Sequence, residues 1–220
     1  MLSGKNSLRS LLVVVYVLLS AGVYAQVERF VEGVHYTTLP ASTYAKGLNT
    51  TDDKVDVTEV FWYGCPHCYA FDPLLESWAD EQAANISFTR TPLMVWSAMN
   101  KQHARLFYAV QQLGKTDTLH SIIFDEVQKN RKPLADESTA AELVANYGVA
   151  ATDFTSAYNS FTVDTLLRKA EAMQKEIPIP SVPVLIVNGK YMVEGNEAVP
   201  GHEDMLEVVE FLVLKEKAAS

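Results

Sequence analysis

Apolar residues recur along this chain in two rhythms. Over residues 55–63 the sequence Val-Asp-Val-Thr-Glu-Val-Phe-Trp-Tyr is rich in β-branched and aromatic residues and stops at Gly64, which predicts a central strand. Phe71, Leu74, Leu75 and Trp78 then return at helical spacing, predicting a helix from about residue 65 to about 84. Pro66 falls in its first turn, where a missing N–H costs nothing. A second strand is expected over 86–91, ended by Pro92. From residue 97 to about 175 the pattern is helical throughout. Segments 100–113 and 138–147 close at Gly114 and Gly148, segment 116–130 lies between them, Thr152 or Asp153 opens a further piece, and 162–175 completes the set. Strands return over 184–187 and 191–193, flanking Asn188-Gly189-Lys190, where Asn-Gly signals a tight hairpin turn. Residues 203–217 read as a last amphipathic helix. The order is strand, helix, strand, helical block, hairpin, helix, which makes the chain α/β.

The N-terminal pattern differs. Lys5 and Arg9 precede an unbroken apolar run over 11–19, too short to span a bilayer comfortably, and Val23-Tyr24-Ala25 offers a signal-peptidase site. Residues 1–25 are therefore read as an export signal cut after Ala25, with an uncleaved membrane anchor as the alternative. Residues 26–51 are the least regular stretch, with a strand-like piece over 34–38. The remaining 26–220 fits one domain carrying a helical insertion at about 97–175. The net charge of −9 includes Lys5 and Arg9, so the chain without its leader is more acidic still. Nucleic acid is excluded as a partner, since binding phosphates needs clustered Lys and Arg.

The candidate chemistry sits directly after the first strand. Cys65-Pro66-His67-Cys68 contains the only two cysteines, and an exported chain meets an oxidising environment. A bridge across so short a loop constrains the unfolded state little, and no second CxxC or His-x-x-His completes four ligands for a metal. A redox-active pair is the reading that remains. Cys65, at the helix start, faces unpaired N–H groups and the positive end of the helix dipole, which favours its thiolate. Cys68 lies one turn in and is expected to be buried. Cys65 is thus the attacking sulfur and Cys68 the resolving one. His67 is expected to donate to the Cys65 sulfur or to place a cation beside it. Stabilising the reduced form makes the disulfide a stronger oxidant. Phe61, Trp62, Tyr63, Tyr69 and Phe71 can form an apolar rim around the sulfurs, although alternate strand positions must face the core. His35, His103, His120 and His202 are scattered singly and read as surface or packing residues.

Residues 61–71, with their Cys-Pro-His-Cys-Tyr core, resemble the active site of the DsbA family of periplasmic thiol:disulfide oxidoreductases. Tyr36-Thr37-Thr38-Leu39, Asn159-Ser160-Phe161 and Val187-Asn188-Gly189-Lys190-Tyr191 also resemble family segments. The resemblance implies a thioredoxin-like fold with an inserted helical domain. It implies that Val182-Pro183 is the cis-proline pair opposite the CxxC, with Val182 offering its backbone to an extended substrate segment. It places Glu59, Asp72 and Arg90 as an acidic, acidic and basic set below the active site, either tuning or relaying protons to Cys68 or forming a structural ion pair. No cofactor or metal is implied. The function implied is a monomeric periplasmic oxidase that donates its Cys65–Cys68 disulfide to reduced exported proteins and is reoxidised by a DsbB-like, quinone-linked membrane oxidase. An isomerase or reductase is the first rival, but such relatives usually carry an N-terminal dimerisation domain, and only about 30 residues precede the first core strand. A binding module with an incidental CxxC is the second, and it would keep full activity without its cysteines.

Overall fold

The structure, a computed structural model, describes residues 29–41 and 54–219. The export signal predicted over 1–25 lies outside the described residues. Residues 1–31 and 32–220 form separate units. Of the first, the described part places the Arg29 guanidinium 5.0 Å from the Phe30 ring centre.

The second unit is built on a five-stranded mixed sheet. Its strands are β1 (Thr37–Thr38), β2 (Val55–Phe61), β3 (Ile86–Pro92), β4 (Val184–Val187) and β5 (Tyr191–Glu194), in the order β1-β5-β4-β2-β3. Only β2 and β3 pair in parallel. Parallel neighbours need a crossover, which α1 (Pro66–Glu81) supplies. β2 lies between two partners, and five of its seven residues in succession, from Val57 to Phe61, are buried. A strand covered on both faces reads as a nearly continuous apolar run, so its two buried polar residues, Thr58 and Glu59, stand out.

Five helices separate β3 from β4: α2 (Ala98–Gln112), α3 (Thr116–Gln128), α4 (Glu137–Ala145), α5 (Ala151–Tyr158) and α6 (Phe161–Glu176). α7 (His202–Ala219) closes the chain. Three of the five inserted helices, α2, α4 and α6, begin at side-chain caps. Ser97 accepts from Asn100 N–H at 3.3 Å, Asp136 from Thr139 N–H at 2.9 Å and Ser160 from Val163 N–H at 3.1 Å. These caps explain why α2, α4 and α6 begin one or two residues before the apolar periodicity does. α1 ends at Glu81, short of the expected 84, because the next bonds tighten to three-residue turns, Ala83 N–H to Asp80 O and Asn85 N–H to Gln82 O. The piece expected over 34–38 narrows to Thr37–Thr38, paired with β5.

One apolar cluster joins the sheet to the helical block. Phe61, Tyr63, Cys65 and Cys68 share it with Phe107, Leu119, Ile123 and Phe124. The C-terminal end of β2 is therefore buried in the interface between sheet and helices. A second tie runs past the end of β3. Gln174 of α6, itself buried, donates to Pro92 O at 2.9 Å and accepts from Met94 N–H at 2.7 Å. Its amide takes the place of a neighbouring strand at a point where the sheet has none. Replacing Gln174→Leu keeps the bulk but leaves two buried backbone groups unpaired. It should cost about 2–4 kcal/mol, read as a lower urea midpoint at unchanged m-value.

Candidate active site

β2 delivers the chain to the mouth of the sheet, and α1 begins at once. Cys65 is the N-cap of α1, with Pro66 at its start. The Cys65 sulfur accepts from Cys68 N–H at 3.3 Å, the position a serine or aspartate oxygen takes in an ordinary cap. Both cysteines are free thiols. Cys68 is wholly buried, whereas Cys65 keeps 7 % exposure, just beneath the surface rather than open on it.

The two sulfurs are driven apart as acids. Cys65 falls from 9.0 to about 6, first because the Cys68 thiol donates to it, then because the Cys68 and His67 backbone N–H groups point at it; burial opposes these effects. Cys68 moves far above the ordinary thiol range, chiefly through burial, then through its donation to Cys65 and the charges on Cys65 and Glu59. One site thus holds a thiolate and a thiol at neutral pH. Of the two roles expected of His67, a donor to the sulfur or a charge beside it, the structure shows no imidazole hydrogen bond. Its ring is exposed, and the cap hydrogen bond to Cys65 comes from the Cys68 backbone, not from imidazole. What His67 gives the sulfur is its backbone N–H and, last, the charge of its ring.

Val182-Pro183 lies directly opposite. The bond is cis, and the Cys65 thiol donates to Val182 O at 3.3 Å across a separation of 117 residues. Val182, Pro183 and His67 line a groove of about 350 Å³ completed by Asn196, His202 and Met205. Of the expected aromatic rim, Phe61, Tyr63 and Phe71 are core residues, while Trp62 and Tyr69 are half-buried. Trp62 lies across Gly64 so closely that a Cβ there would come within 2.3 Å of its ring. That close approach is the reason for glycine before Cys65.

Beneath the sulfurs the structure brings Glu59, Asp72 and Arg90 together. Glu59 and Arg90 are register partners in β2 and β3. Arg90 Nε donates to Glu59 Oε2 at 3.2 Å and its Nη2 donates to Asp72 Oδ1 at 3.1 Å, so one guanidinium spans both acids. Two buried carboxylates share one cation, and the set carries a surplus negative charge unless a proton enters. Glu59, fully buried, rises from 4.5 to about 7: burial comes first and Asp72 adds to it, against the pull of Arg90.

The sequence reading missed His120. It is buried on α3, with Nε2 3.2 Å from Asp72 Oδ1 and Nδ1 2.8 Å from Tyr63 OH. The available signal was its place in the apolar stripe Leu119, His120, Ile123, Phe124. His103 is likewise buried rather than superficial, donating from Nε2 to Pro133 O at 2.7 Å. His202 stacks on Phe71 with centroids 4.6 Å apart.

A sheet of this order, with a buried dithiol capping the helix after its central strand, defines a thioredoxin-fold thiol:disulfide oxidoreductase. Comparison with known proteins narrows the class. The model of the DSBA-like thioredoxin domain matches residues 56–207, and the chain belongs to that family. It is 32 % identical over 199 residues to the thiol:disulfide interchange protein DsbA of Pseudomonas aeruginosa, covering 90 % of this chain and 92 % of that one. Its identity to the DsbA of Azotobacter vinelandii is 37 %, over 76 % of this chain and 77 % of the relative. The crystal structure of the P. aeruginosa protein superposes with a TM-score of 0.80 at 30 % identity, covering 88 % of this chain and 97 % of that one. The oxidoreductase DsbA from Xylella fastidiosa gives 0.73 at 29 % identity, covering 84 % and 96 %. The chain is accordingly a dithiol oxidoreductase that acts on protein thiols.

The raised acid makes a pH signature. Glu59 binds its proton more tightly folded than unfolded, so the folded state holds more protons between 4.5 and about 7. Stability from this group is full below that window and is lost as pH rises through it. Glu59→Gln removes the dependence. The difference in unfolding free energy, variant minus wild type, should rise by about 3 kcal/mol from pH 4 to pH 8, measured by urea titration of both reduced proteins.

Proposed function

We propose that the chain is a periplasmic dithiol oxidase in which Cys65 exchanges with client proteins and Cys68 is the internal leaving group. The observation that supports this best is the opposed acidity of the two sulfurs, set first by the Cys68 thiol donating to Cys65 and by the burial of Cys68, with the backbone N–H groups at the start of α1 adding to it. A client thiolate attacks Cys65 of the Cys65–Cys68 disulfide. The Cys65–Cys68 bond breaks, a client–Cys65 disulfide forms, and Cys68 leaves as a thiolate. Its high proton affinity draws a proton from Glu59, which is half-protonated near neutrality. A second client thiolate then attacks the client sulfur of the mixed disulfide. Cys65 leaves as a stable thiolate, and the client departs oxidised by two electrons.

The direction follows from linkage. Cys65 titrates near 6 in the fold instead of 9.0, so its stabilisation of the reduced form is present above pH 9 and lost as pH falls through 6. Its full size is about 4 kcal/mol. The disulfide form has no such thiolate, and a stabilised dithiol makes a stronger oxidant. When Cys65 ionises it no longer donates to Val182 O. That carbonyl is then free to accept from the backbone N–H of an extended client segment, which gives Val182 and Pro183 their place in substrate binding. Export and the need for an outside electron acceptor point to a DsbB-like, quinone-linked membrane oxidase as the second partner.

Iodoacetamide labelling of the reduced protein should map to Cys65 with a midpoint near pH 6, leaving Cys68 unlabelled until unfolding; faster labelling of Cys68 would reverse the assignment. His67→Ala, having lost only the smallest contribution to the sulfur, should shift that midpoint by less than about one pH unit. Cys68→Ser should accumulate reducible client adducts on a non-reducing gel, and Cys65→Ser few. Net oxidation of a two-cysteine peptide should vanish in both variants. Activity persisting in Cys68→Ser would contradict the scheme.

A further inference from the structure

The glycine that Trp62 imposes at position 64 brings a freedom that the site has to restrain. Cys65 N–H donates to Trp62 O at 2.9 Å and closes a four-residue turn, Trp62-Tyr63-Gly64-Cys65, immediately before the helix that carries the dithiol. Turns of this kind exist in two forms that differ by turning over the central peptide, here the one between Tyr63 and Gly64. One form needs positive φ at the third residue, which glycine takes at little cost. Gly64 is open to both forms, and it stands in the one without positive φ.

The restraint comes from the helical insert. Gln128, the last residue of α3, donates from Nε2 to Tyr63 O at 2.7 Å. That oxygen belongs to the peptide that is able to turn over. Three residues earlier, Asp125 accepts from Tyr69 OH at 2.8 Å, and Lys129 braces the carboxylate at 3.0 Å. Residues three apart on a helix share a face. One surface of α3 therefore grips the reactive segment on both sides, two residues before Cys65 and one residue after Cys68.

The C=O and N–H of a trans peptide point in opposite directions. With Tyr63 C=O drawn to α3, the Gly64 N–H points away from α3, and it donates to no group among the described residues. Gly64 is half-buried, so this side of the turn, next to the exchanging sulfur, shows a donor and keeps its acceptor hidden. In the oxidised protein negative charge arrives with the client thiolate and passes along the sulfurs. A nearby donor favours that charge and a carbonyl oxygen opposes it.

We propose that Gln128 is a positioning residue for exchange at Cys65: it holds the Tyr63–Gly64 peptide in the orientation that turns an N–H, not a carbonyl oxygen, away from α3. The inference rests on Cys65 as the exchanging sulfur. Without the amide, the Tyr63 carbonyl loses its partner and the turned-over form gains population.

Proton NMR reads the orientation directly, with the dithiol reduced and with it oxidised. In the form described above the amide protons of Tyr63 and Gly64 lie close together. In the turned-over form the Gly64 amide proton lies close to Tyr63 Hα instead. The unaltered protein should show the first contact as the stronger; finding the second stronger overturns the proposal whether or not any variant folds. Gln128→Met keeps the length and removes the amide, and in it the second contact should strengthen. The rate at which the oxidised variant takes electrons from a reduced two-cysteine peptide should fall about threefold to tenfold, the size of one net hydrogen bond. Gln128→Lys, which keeps a donor, should bring back the first contact and most of the rate at high salt, where its charge is screened. A wild-type rate in Gln128→Met alongside a lower urea midpoint identifies a purely structural amide and overturns the proposal, as does an unchanged contact pattern. Neither result touches the iodoacetamide mapping that assigns exchange to Cys65; labelling of Cys68 instead removes the premise.

Discussion

The whole site depends on the turn that brings Cys68, through both its thiol and its backbone N–H, onto the Cys65 sulfur. Helix starts leave donors without partners, and anionic acceptors satisfy them best. By putting a sulfur where an oxygen usually sits, the chain ties the ionisation of Cys65 to the existence of α1. The same turn places Cys68 one step further inward, where no water reaches it. A difference of three positions in sequence thus becomes a difference between a stable anion and a thiol that keeps its proton. The rest of the fold keeps that turn in place: β2 below it, α3 beside it and the Val182 carbonyl in front of it.

A second constraint is charge. The interior under the sulfurs holds two carboxylates and one guanidinium, and a buried imbalance of one charge is costly. A proton on Glu59 relieves it. This gives the pair of cysteines an acid that titrates near neutrality, in the range where a leaving thiolate can be met. The arrangement is assembled from four elements. Because β2 and β3 bring Glu59 and Arg90 into register, the cation is fixed by the sheet, while Asp72 and His120 arrive from helices on either side of the interface.

What could be read from the sequence was whatever is local. The strand before Gly64 was legible because it is rich in β-branched and aromatic residues and stops at a glycine, and the dithiol because the chain has only two cysteines, one helical turn apart. The hairpin at Asn188-Gly189 was legible because its turn needs particular residues, and Asn188 and Gly189 both take positive φ. Sheet order was not visible, since β2 meets β4 from the other end of the chain. Glu59, Asp72 and Arg90 were found through resemblance, and their shared guanidinium shows only in three dimensions. His120 was overlooked because a lone histidine in an apolar helical stripe looks like packing until its two polar neighbours, from distant segments, are placed against it. For His67 adjacency in sequence left two roles open, and the turn of the helix gives the hydrogen bond to the backbone, leaving the ring its charge.

The contact between Cys65 and Val182 has a consequence for the life history of the molecule. The two residues are 117 positions apart, and six helices, α1 to α6, must be accommodated between them before they can meet. Contacts of such long separation form late, since the entropy of closing the chain is spent before the contact repays it. A chain still being made therefore holds its cysteine pair early and the Val182 edge opposite it late. The surroundings of Cys65 are thus complete only once β4 has joined the sheet beside β2.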